Sequence, residues 1–228
     1  AEEKYAFTHD LLQEALYETI GPARRRRYHL RIAQVIEKLY ASRLEDWYEA
    51  LAYHFRESNN LEKAVIFSHQ AGIKAASRFA YRDAVLYFEQ ALGALEHLSE
   101  GRQKLEQGIA IRIDRGPALI ALGGYLAPGV EENYTQAGKL CEQLGETTQL
   151  FPVLWTLSRI RNWRGELPAA RQLAEQLLSL ARREQDTLRL LEAHHTLWAI
   201  SLDMGELPSA KGYAEQGFAL YDRKHHSR

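Results

Sequence analysis

The amino-acid sequence predicts an all-α protein built as a solenoid of antiparallel helix pairs. Its dominant residue types are Ala, Leu, Glu, Gln and Arg, which are strong helix formers. No stretch shows the alternation of β-branched and polar residues that is typical of a strand. A Gly-Glu-Leu-Pro motif begins at Gly165 and again 40 residues later at Gly205. A fixed period of this length indicates stacked pairs of helices.

Helix-forming stretches and the breakers between them predict about eleven helices along the chain. Most of the six prolines fall where a helix would begin, which is the position at which proline is tolerated. The predicted helices run near residues 8–20, 22–40, 45–57, 61–78, 81–98, 102–123, 129–144, 148–163, 167–184, 187–204 and 207–222.

The two copies of the repeat that begin at Gly165 and Gly205 are identical at nine of sixteen positions. At each of these glycines we expect a first helix to end in a left-handed conformation. The proline three residues later begins the second helix, where Ala170 or Ala210 is small enough for two helices to approach closely. Weaker copies of the same turn lead to Ala64, Ala84 and Ala137.

The turn, the small residue and the aromatic residues after it, as in residues 84–91, resemble tetratricopeptide repeats. The resemblance implies a right-handed superhelix whose concave surface is lined by the first helix of each pair. More narrowly, residues 45–222 resemble the C-terminal repeat region of large bacterial signalling ATPases of the STAND type. Segments 124–132 and 149–155 carry that likeness. Such proteins often hold a cyclase, kinase or DNA-binding domain elsewhere.

The N-terminal segment differs from the repeats. Thr8-His9-Asp10-Leu11 is similar to the Met-His-Asp motif of STAND proteins, with Thr in place of Met. This resemblance implies that residues 1–44 are the helical remnant of a winged-helix or lid segment that follows an ATPase core. It also implies that His9 senses bound nucleotide in the full-length protein; alternatively, His9 caps or packs the first helix. Residues 223–228 are expected to be a tail, and the lack of an initiator Met indicates a fragment.

Motifs for catalysis and metal binding are absent from the sequence. There is no Gly-x-x-x-x-Gly-Lys-Ser/Thr phosphate loop, no His-Glu-x-x-His pair and no Gly-x-Ser-x-Gly elbow. The single cysteine, Cys141, lies in a leucine-rich helical stretch and is expected to be a core residue. On a helix, the adjacent His194 and His195 would point about 100° apart and could not easily share one ion. We therefore expect no enzyme activity, no cofactor and no metal in this fragment.

The amino-acid composition limits which classes of partner and which cellular compartment we expect. A net charge of −1 gives no overall attraction to nucleic acid or to an anionic membrane. No apolar run approaches the roughly 18–20 residues that a membrane span requires. One cysteine suits a reducing compartment, so we expect a cytoplasmic protein without a membrane partner.

Candidate binding residues follow from counting back from the small alanines to the inward positions of the preceding helices. From Ala170 and Ala210 these positions are Trp155, Arg159, Asn162, Trp163, Glu192, His195, Ala199 and Leu202, and from Ala64 they are Glu49, Tyr53, Arg56 and Glu57. Aromatic residues and arginine are enriched at binding surfaces. We predict partner contacts by Tyr53, Arg56, Trp155, Arg159, Asn162, Trp163 and His195. Alternatively, Trp155 and Trp198 fill gaps between helices.

Three functions remain open from the sequence. The first is a scaffold or sensor module that binds a protein, a peptide or a small inducer and contacts an ATPase domain of the same chain. The second is a self-association element that makes a homo-oligomer, because solenoid ends expose apolar faces. The weaker third is a nucleic-acid-binding helical repeat that uses Arg24–Arg27. Four successive arginines spread around a helix, so a solvated helix start or a contact with the ATPase domain is the preferred interpretation.

Overall fold

The computed structural model describes residues 10–145 and 148–221, with side chains from Glu14 onward. In these ranges the chain forms eleven α-helices and one 3-10 helix, and the described residues contain no strand. The all-α prediction and the number of helices are therefore confirmed. None of the described helices is both long enough and apolar enough to span a membrane.

The helices follow one another through short connections. They are α1 (Asp10–Thr19), α2 (Pro22–Leu39), α3 (Tyr48–Glu57), α4 (Leu61–Ser77), α5 (Tyr81–Glu96), α6 (Arg102–Gly123), α7 (Val130–Leu144), α8 (Leu150–Trp163), α9 (Leu167–Glu184), α10 (Thr187–Asp203) and α11 (Leu207–Leu220).

One predicted boundary is wrong. The helix expected from residue 45 begins only at Tyr48, and residues Ala41–Trp47 form the 3-10 helix instead. The backbone leaves helical geometry at Arg43, whose φ is −149° and ψ is 46°. The ring of Trp47 stacks on that of Tyr40, with centroids 4.3 Å apart, and this contact joins the two ends of the segment.

The interhelical turns share a backbone pattern that the glycines at 165 and 205 predicted. Gly165 and Gly205 have φ of 76° and 75°. After each, the next amide donates to a carbonyl five residues earlier, as in Glu166 N to Arg161 O at 3.0 Å. This is the bond that closes a Schellman turn and satisfies a helix-end carbonyl. Non-glycine residues occupy the left-handed position in three further turns, at Asn59, Phe79 and Gln185.

The second helix of a pair begins at once after this turn. Ala170 and Ala210 donate the first helical bonds, to the carbonyls of Glu166 and Glu206. Both alanine side chains are buried, as is that of Ala64 in the equivalent position. A larger side chain there would have to displace its neighbours, so small size is what the packing requires.

The described residues divide into two compact units. The first contains the residues up to Arg78 together with Leu86–Leu98, and the second contains Phe79–Val85 and the residues from Ser99 onward. In the first unit, α3 packs on both α2 and α4. Its centre is aromatic, because Phe55 and Phe67 are buried and their rings stack at 5.4 Å.

In the second unit, consecutive helices from α6 to α11 pack against each other, and α8 also contacts α10. A continuous apolar cluster runs through α8, α9 and α10 and includes Phe151, Leu177, Leu197 and Ile200. A second cluster holds α7 against α8. Because α8 and α10 are the first helices of successive pairs, they lie side by side and present the candidate binding face.

Candidate functional site

A groove between α8 and α10 brings together several of the predicted binding residues. Its lining is Ser158, Arg159, Asn162 and Trp163 from α8, and His195, Thr196, Ala199, Ile200 and Asp203 from α10. Each lining residue has another lining residue three or four positions away on the same helix, so the residues of each helix lie on one face. The cavity volume is about 180 Å³. That is below the roughly 300 Å³ at which drug-sized sites begin, so the groove fits a side chain.

Arg159 is surrounded by aromatic rings. Its guanidinium carbon lies 4.8 Å from the ring centroid of Trp155, 5.4 Å from that of Trp163 and 5.5 Å from that of Tyr125. Each distance is within the range of a cation–π contact. These rings fix the planar guanidinium without neutralising its charge.

Tyr125 is a site residue that the counting of helix positions missed. It lies in the connection between α6 and α7, directly after Gly124, which has a φ of 79°. The rings of Tyr125 and Trp163 meet edge to face at 4.5 Å, with 81° between their planes. Counting back along a first helix cannot reach a residue in a loop. The signal available in the sequence was an aromatic residue after a pair of glycines.

The charge of Arg159 has no acidic partner in residues 14–145 and 148–221, whose side chains the structure describes. Among the residues that the structure describes, none forms an ion pair or a hydrogen bond with its guanidinium, and its Nε is buried without an acceptor. Buried donors in proteins are normally satisfied. The Arg159 guanidinium is therefore held by three rings while no described acidic residue neutralises its charge.

Trp155 and Glu192 connect the two helices of the groove. The indole Nε1 of Trp155 donates to Oε1 of Glu192 at 2.5 Å. The same carboxylate oxygen lies 3.8 Å from Nδ1 of His195, whose side chain is 49% exposed. The indole is half-buried and packs against the apolar cluster of α8, α9 and α10. Trp155 thus fills the space between helices as well as facing Arg159.

At the other end of the groove, Asn162 connects α8 to α10. Its Nδ2 donates to Oδ2 of Asp203 at 2.7 Å, while its Oδ1 is buried and has no donor among the described residues. An amide in this state can accept one more hydrogen bond. Leu202, which the sequence also predicted to face inward, is 41% exposed and does not line the cavity.

Tyr53 and Arg56 lie on α3, in the first unit. The guanidinium carbon of Arg56 is 5.7 Å from the ring centroid of Tyr53. The ring of Tyr53 also meets His29 of α2, at 5.4 Å. Burial, followed by the charge of Glu57, raises the pKa of the Tyr53 hydroxyl. Of the other positions predicted on this helix, Glu49 binds the buried Lys74 of α4 at 2.7 Å.

The other residues that the sequence singled out either have a clear structural position or lie outside the described residues. His9 lies outside the described residues. Cys141 is buried, and burial raises the pKa of its thiol to about 11, so it is protonated at neutral pH. His194 is buried while His195 is exposed on the groove, so the two imidazoles diverge. In the described ranges no group of three or more His, Cys, Asp or Glu side chains could hold a metal ion.

The four arginines at 24–27 occupy the first turns of α2, and all but Arg25 are exposed. The Nε of Arg25 donates to the carbonyl of Ile20 at 2.6 Å, and its guanidinium lies over the ring of Tyr17. Arg25 therefore fixes the connection between α1 and α2. The arginines point in different directions around the helix.

Comparison with known proteins identifies the fold. No protein-family model matches the sequence. An uncharacterized protein of Rhizobium meliloti (strain 1021) is 25% identical over 227 residues, which cover 96% of this chain but only 21% of that protein. The chain thus spans about a fifth of the length of this relative.

Two crystal structures share the architecture. Both are of a Podosopora anserina protein described as a putative kinesin light chain with nearly identical TPR-like repeats, and one of them is of a variant. Each has a TM-score of 0.62 and 16% identity. The matches cover 91% and 90% of this chain and 98% and 99% of theirs. The chain therefore has a TPR-like helical-repeat fold.

Proposed function

We propose that this chain is a non-catalytic binding module whose α8–α10 groove takes a segment of a protein or peptide. A TPR-like repeat is consistent with a protein-interaction scaffold. The observation that carries the proposal is Arg159, a cation held by three aromatic rings with no acidic partner among the described residues. Rings and arginine are the groups that interfaces concentrate.

The size and polarity of the groove favour an extended segment over a small inducer. A cavity of about 180 Å³ accepts one side chain at a time. Arg159 lines this cavity, and the N–H groups of its guanidinium can donate to a carbonyl or carboxylate oxygen of such a segment. Trp163, 50% exposed, offers apolar area at the mouth.

A random peptide library displayed on phage and panned against the chain tests this assignment. We expect enriched peptides to bind the chain and to lose about tenfold or more in affinity with Trp163→Ala or Asn162→Ala, since central interface residues carry most of the energy. Gln172→Ala, which removes an exposed amide on α9, is the matched control and should leave affinity unchanged. Peptides that bind equally well to all four proteins would place the partner surface elsewhere.

The parent protein, on this proposal, is a cytoplasmic signalling ATPase of the STAND type. Residues 1–44 would follow its ATPase core, residues 45–222 would form the repeats and His9 would sense the nucleotide. The support is the resemblance of the motifs, together with a relative about five times as long as the matched segment. We expect the purified chain to fold yet to hydrolyse no ATP and to make no cyclic nucleotide. Robust turnover by the chain alone would refute the non-catalytic assignment.

A second candidate function, self-association, is favoured by α11. Leu207 and Phe218 are eleven residues apart, about three helical turns, and so share one face. They are 64% and 79% exposed. Sedimentation of the chain over a range of concentrations tests this candidate. A dimer that becomes monomeric with Phe218→Asp would support it, whereas a monomer at every concentration would exclude it.

A further inference from the structure

A stripe of apolar side chains runs along the outside of α2. Tyr28, Ile32, Val35 and Leu39 are 50%, 42%, 46% and 69% exposed. Their spacing of four, three and four residues is the seam spacing of a coiled coil. At 100° per residue the stripe occupies an arc of only about 60°. We call these four residues the α2 seam.

The α2 seam is not the face that holds α2 in the fold. The buried residues of α2 are His29, Ala33 and Ile36, which face α3 and lie roughly 100° around the helix from the seam. α2 thus has two apolar faces. One is buried within the first unit, and the other, the α2 seam, is exposed. Exposed apolar side chains scattered singly are ordinary, but four in register on one helix indicate a docking surface.

A row of cations borders the α2 seam. On the helical wheel Arg24, Arg31 and Lys38 lie together within about 40°, immediately beside the apolar stripe. All three are exposed, and in the part of the chain that the structure describes none of their side chains has an ion-pair or hydrogen-bond partner. The acidic residue of the same helix, Glu37, lies on another side, where it pairs with Lys63 of α4 at 2.5 Å.

We propose that the α2 seam docks an amphipathic helix of another protein or domain whose apolar stripe is bordered by Glu or Asp. Charge complementarity selects this occupant, because Arg24, Arg31 and Lys38 would face acidic flanking residues as in a coiled-coil pair. This surface lies in the first unit, whereas the α8–α10 groove lies in the second.

The same features disfavour two other occupants. A second copy packing antiparallel on the same seam would set one row of cations against the other, and like charges there cost affinity. A membrane calls for a wide apolar face of about 100° or more, whereas a narrow seam is what a partner helix needs. Both alternatives are outcomes of the test.

The test uses two synthetic helical peptides that have leucine seams and differ only in their flanking residues, Glu in one and Lys in the other. Fluorescence polarisation with the full chain at near-physiological salt should show binding of the Glu peptide and weaker binding of the Lys peptide. The double substitution Arg31→Glu with Lys38→Glu should reverse this preference, so that the Lys peptide binds roughly fivefold to tenfold more tightly than the Glu peptide. The change is modest because each exposed ion pair contributes little to the binding free energy. Val35→Glu should weaken both peptides by about tenfold or more, since it puts a charge into the apolar contact.

Lys139→Glu with Arg182→Glu, which reverses two exposed cations of α7 and α9, is the matched control and should keep the preference for the Glu peptide. Circular dichroism confirms that each variant is folded. Equal binding of the two peptides, or binding of neither, would overturn the proposal. So would association with phosphatidylserine-containing vesicles that Val35→Glu abolishes, or a dimer of the chain that the same substitution dissociates.

Discussion

The indole of Trp155 donates a hydrogen bond to the carboxylate of Glu192 at 2.5 Å, and this bond joins α8 to α10 across the groove. The indole also contacts Arg159, whose guanidinium carbon lies 4.8 Å from its ring centroid. Trp155 therefore contacts both Glu192, which belongs to one repeat, and Arg159, which belongs to the preceding repeat.

Glu192→Ala is expected to lower the free energy of unfolding by about 1 kcal/mol. A hydrogen bond to a charged group contributes roughly 1.5–3 kcal/mol when shielded, but solvent reaches this carboxylate and reduces the contribution. Urea unfolding measures the change. Glu215→Ala, which removes an exposed acid one helical turn after Lys211 on α11, should change stability by less than about 0.5 kcal/mol. Equal effects of the two substitutions would mean that the indole bond contributes nothing.

Gly116 and Tyr134 form the closest approach in the second unit. A Cβ added at Gly116 would lie 2.0 Å from the hydroxyl oxygen of Tyr134. Tyr134 is only 4% exposed. Gly116→Ala is expected to destabilise the chain by about 1–3 kcal/mol, because a buried ring and a helix must separate.

Gly212 is the matched control for this prediction. It lies inside α11, and a Cβ there would meet nothing within 4 Å. Gly212→Ala should stabilise the chain by about 0.5–1 kcal/mol, the gain of helix propensity. Thermal unfolding of the two variants separates the effects by sign. A neutral Gly116→Ala would show that α6 and α7 do not pack as closely as described.

The sequence was sufficient to predict the helices and about half of the residues that line the groove. Glycine and proline spacing located the helix pairs, because backbone conformation at a tight turn depends on local residues. Helical periodicity likewise placed Arg159, Asn162, Trp163 and His195 on the facing sides of α8 and α10. The contact of Tyr125 with Arg159 and Trp163 could not be predicted, because it depends on how a loop folds back onto a distant helix.

The exposed seam of α2 illustrates the same limit. Its spacing is visible in the sequence, but Tyr28 and His29 are both plausible core residues there. Only packing decides that His29 is buried while Tyr28 is 50% exposed. Likewise, a left-handed residue at Gly165 was predictable, whereas Gln185 in the same conformation was not, because glutamine rarely has a positive φ.

The backbone conformation at Gly165 predicts which substitutions there cost the most stability. Its φ of 76° is easy for glycine, tolerated by asparagine and costly for other residues. Gly165→Asn should therefore cost less than Gly165→Ala, which we expect to cost about 1 kcal/mol. Asn59 already occupies the equivalent turn with a φ of 62°.

Gln185→Gly tests the same relationship in reverse. Replacing a strained residue at φ of 53° should leave stability unchanged or raise it slightly, as relief of strain offsets the added freedom of the unfolded chain. Urea midpoints of the three variants provide the comparison. Equal losses at Gly165 for Asn and Ala would show that φ does not determine the cost.

His29 and His54 make the stability of the first unit depend on pH. Their Nδ1 atoms lie 2.8 Å apart, so one imidazole donates and the other accepts, and Nε2 of His29 is 2.9 Å from the hydroxyl of Tyr17. Burial lowers the pKa of both imidazoles below the ordinary 6.5, and the charge of Glu57 opposes this shift. The pair is thus held neutral in the folded chain.

Because the folded pKa values lie below 6.5, the unfolded chain binds these protons at a higher pH than the folded chain does. Stability is therefore full above about pH 6.5 and falls as the pH drops towards the folded pKa values. Each imidazole can contribute a slope of up to about 1.4 kcal/mol per pH unit. Urea unfolding between about pH 7.5 and pH 5.5 should show this loss, above the range in which carboxylates titrate.

His54→Gln should reduce that slope, because it removes one titrating imidazole while an amide can still meet Nδ1 of His29. His97→Gln replaces an exposed histidine outside the pair and serves as the control. The pH dependence should persist in the control and weaken in the His54 variant. A slope that is identical in both variants would assign the acid sensitivity to groups other than this pair, such as the buried His194, whose pKa is also lowered by burial.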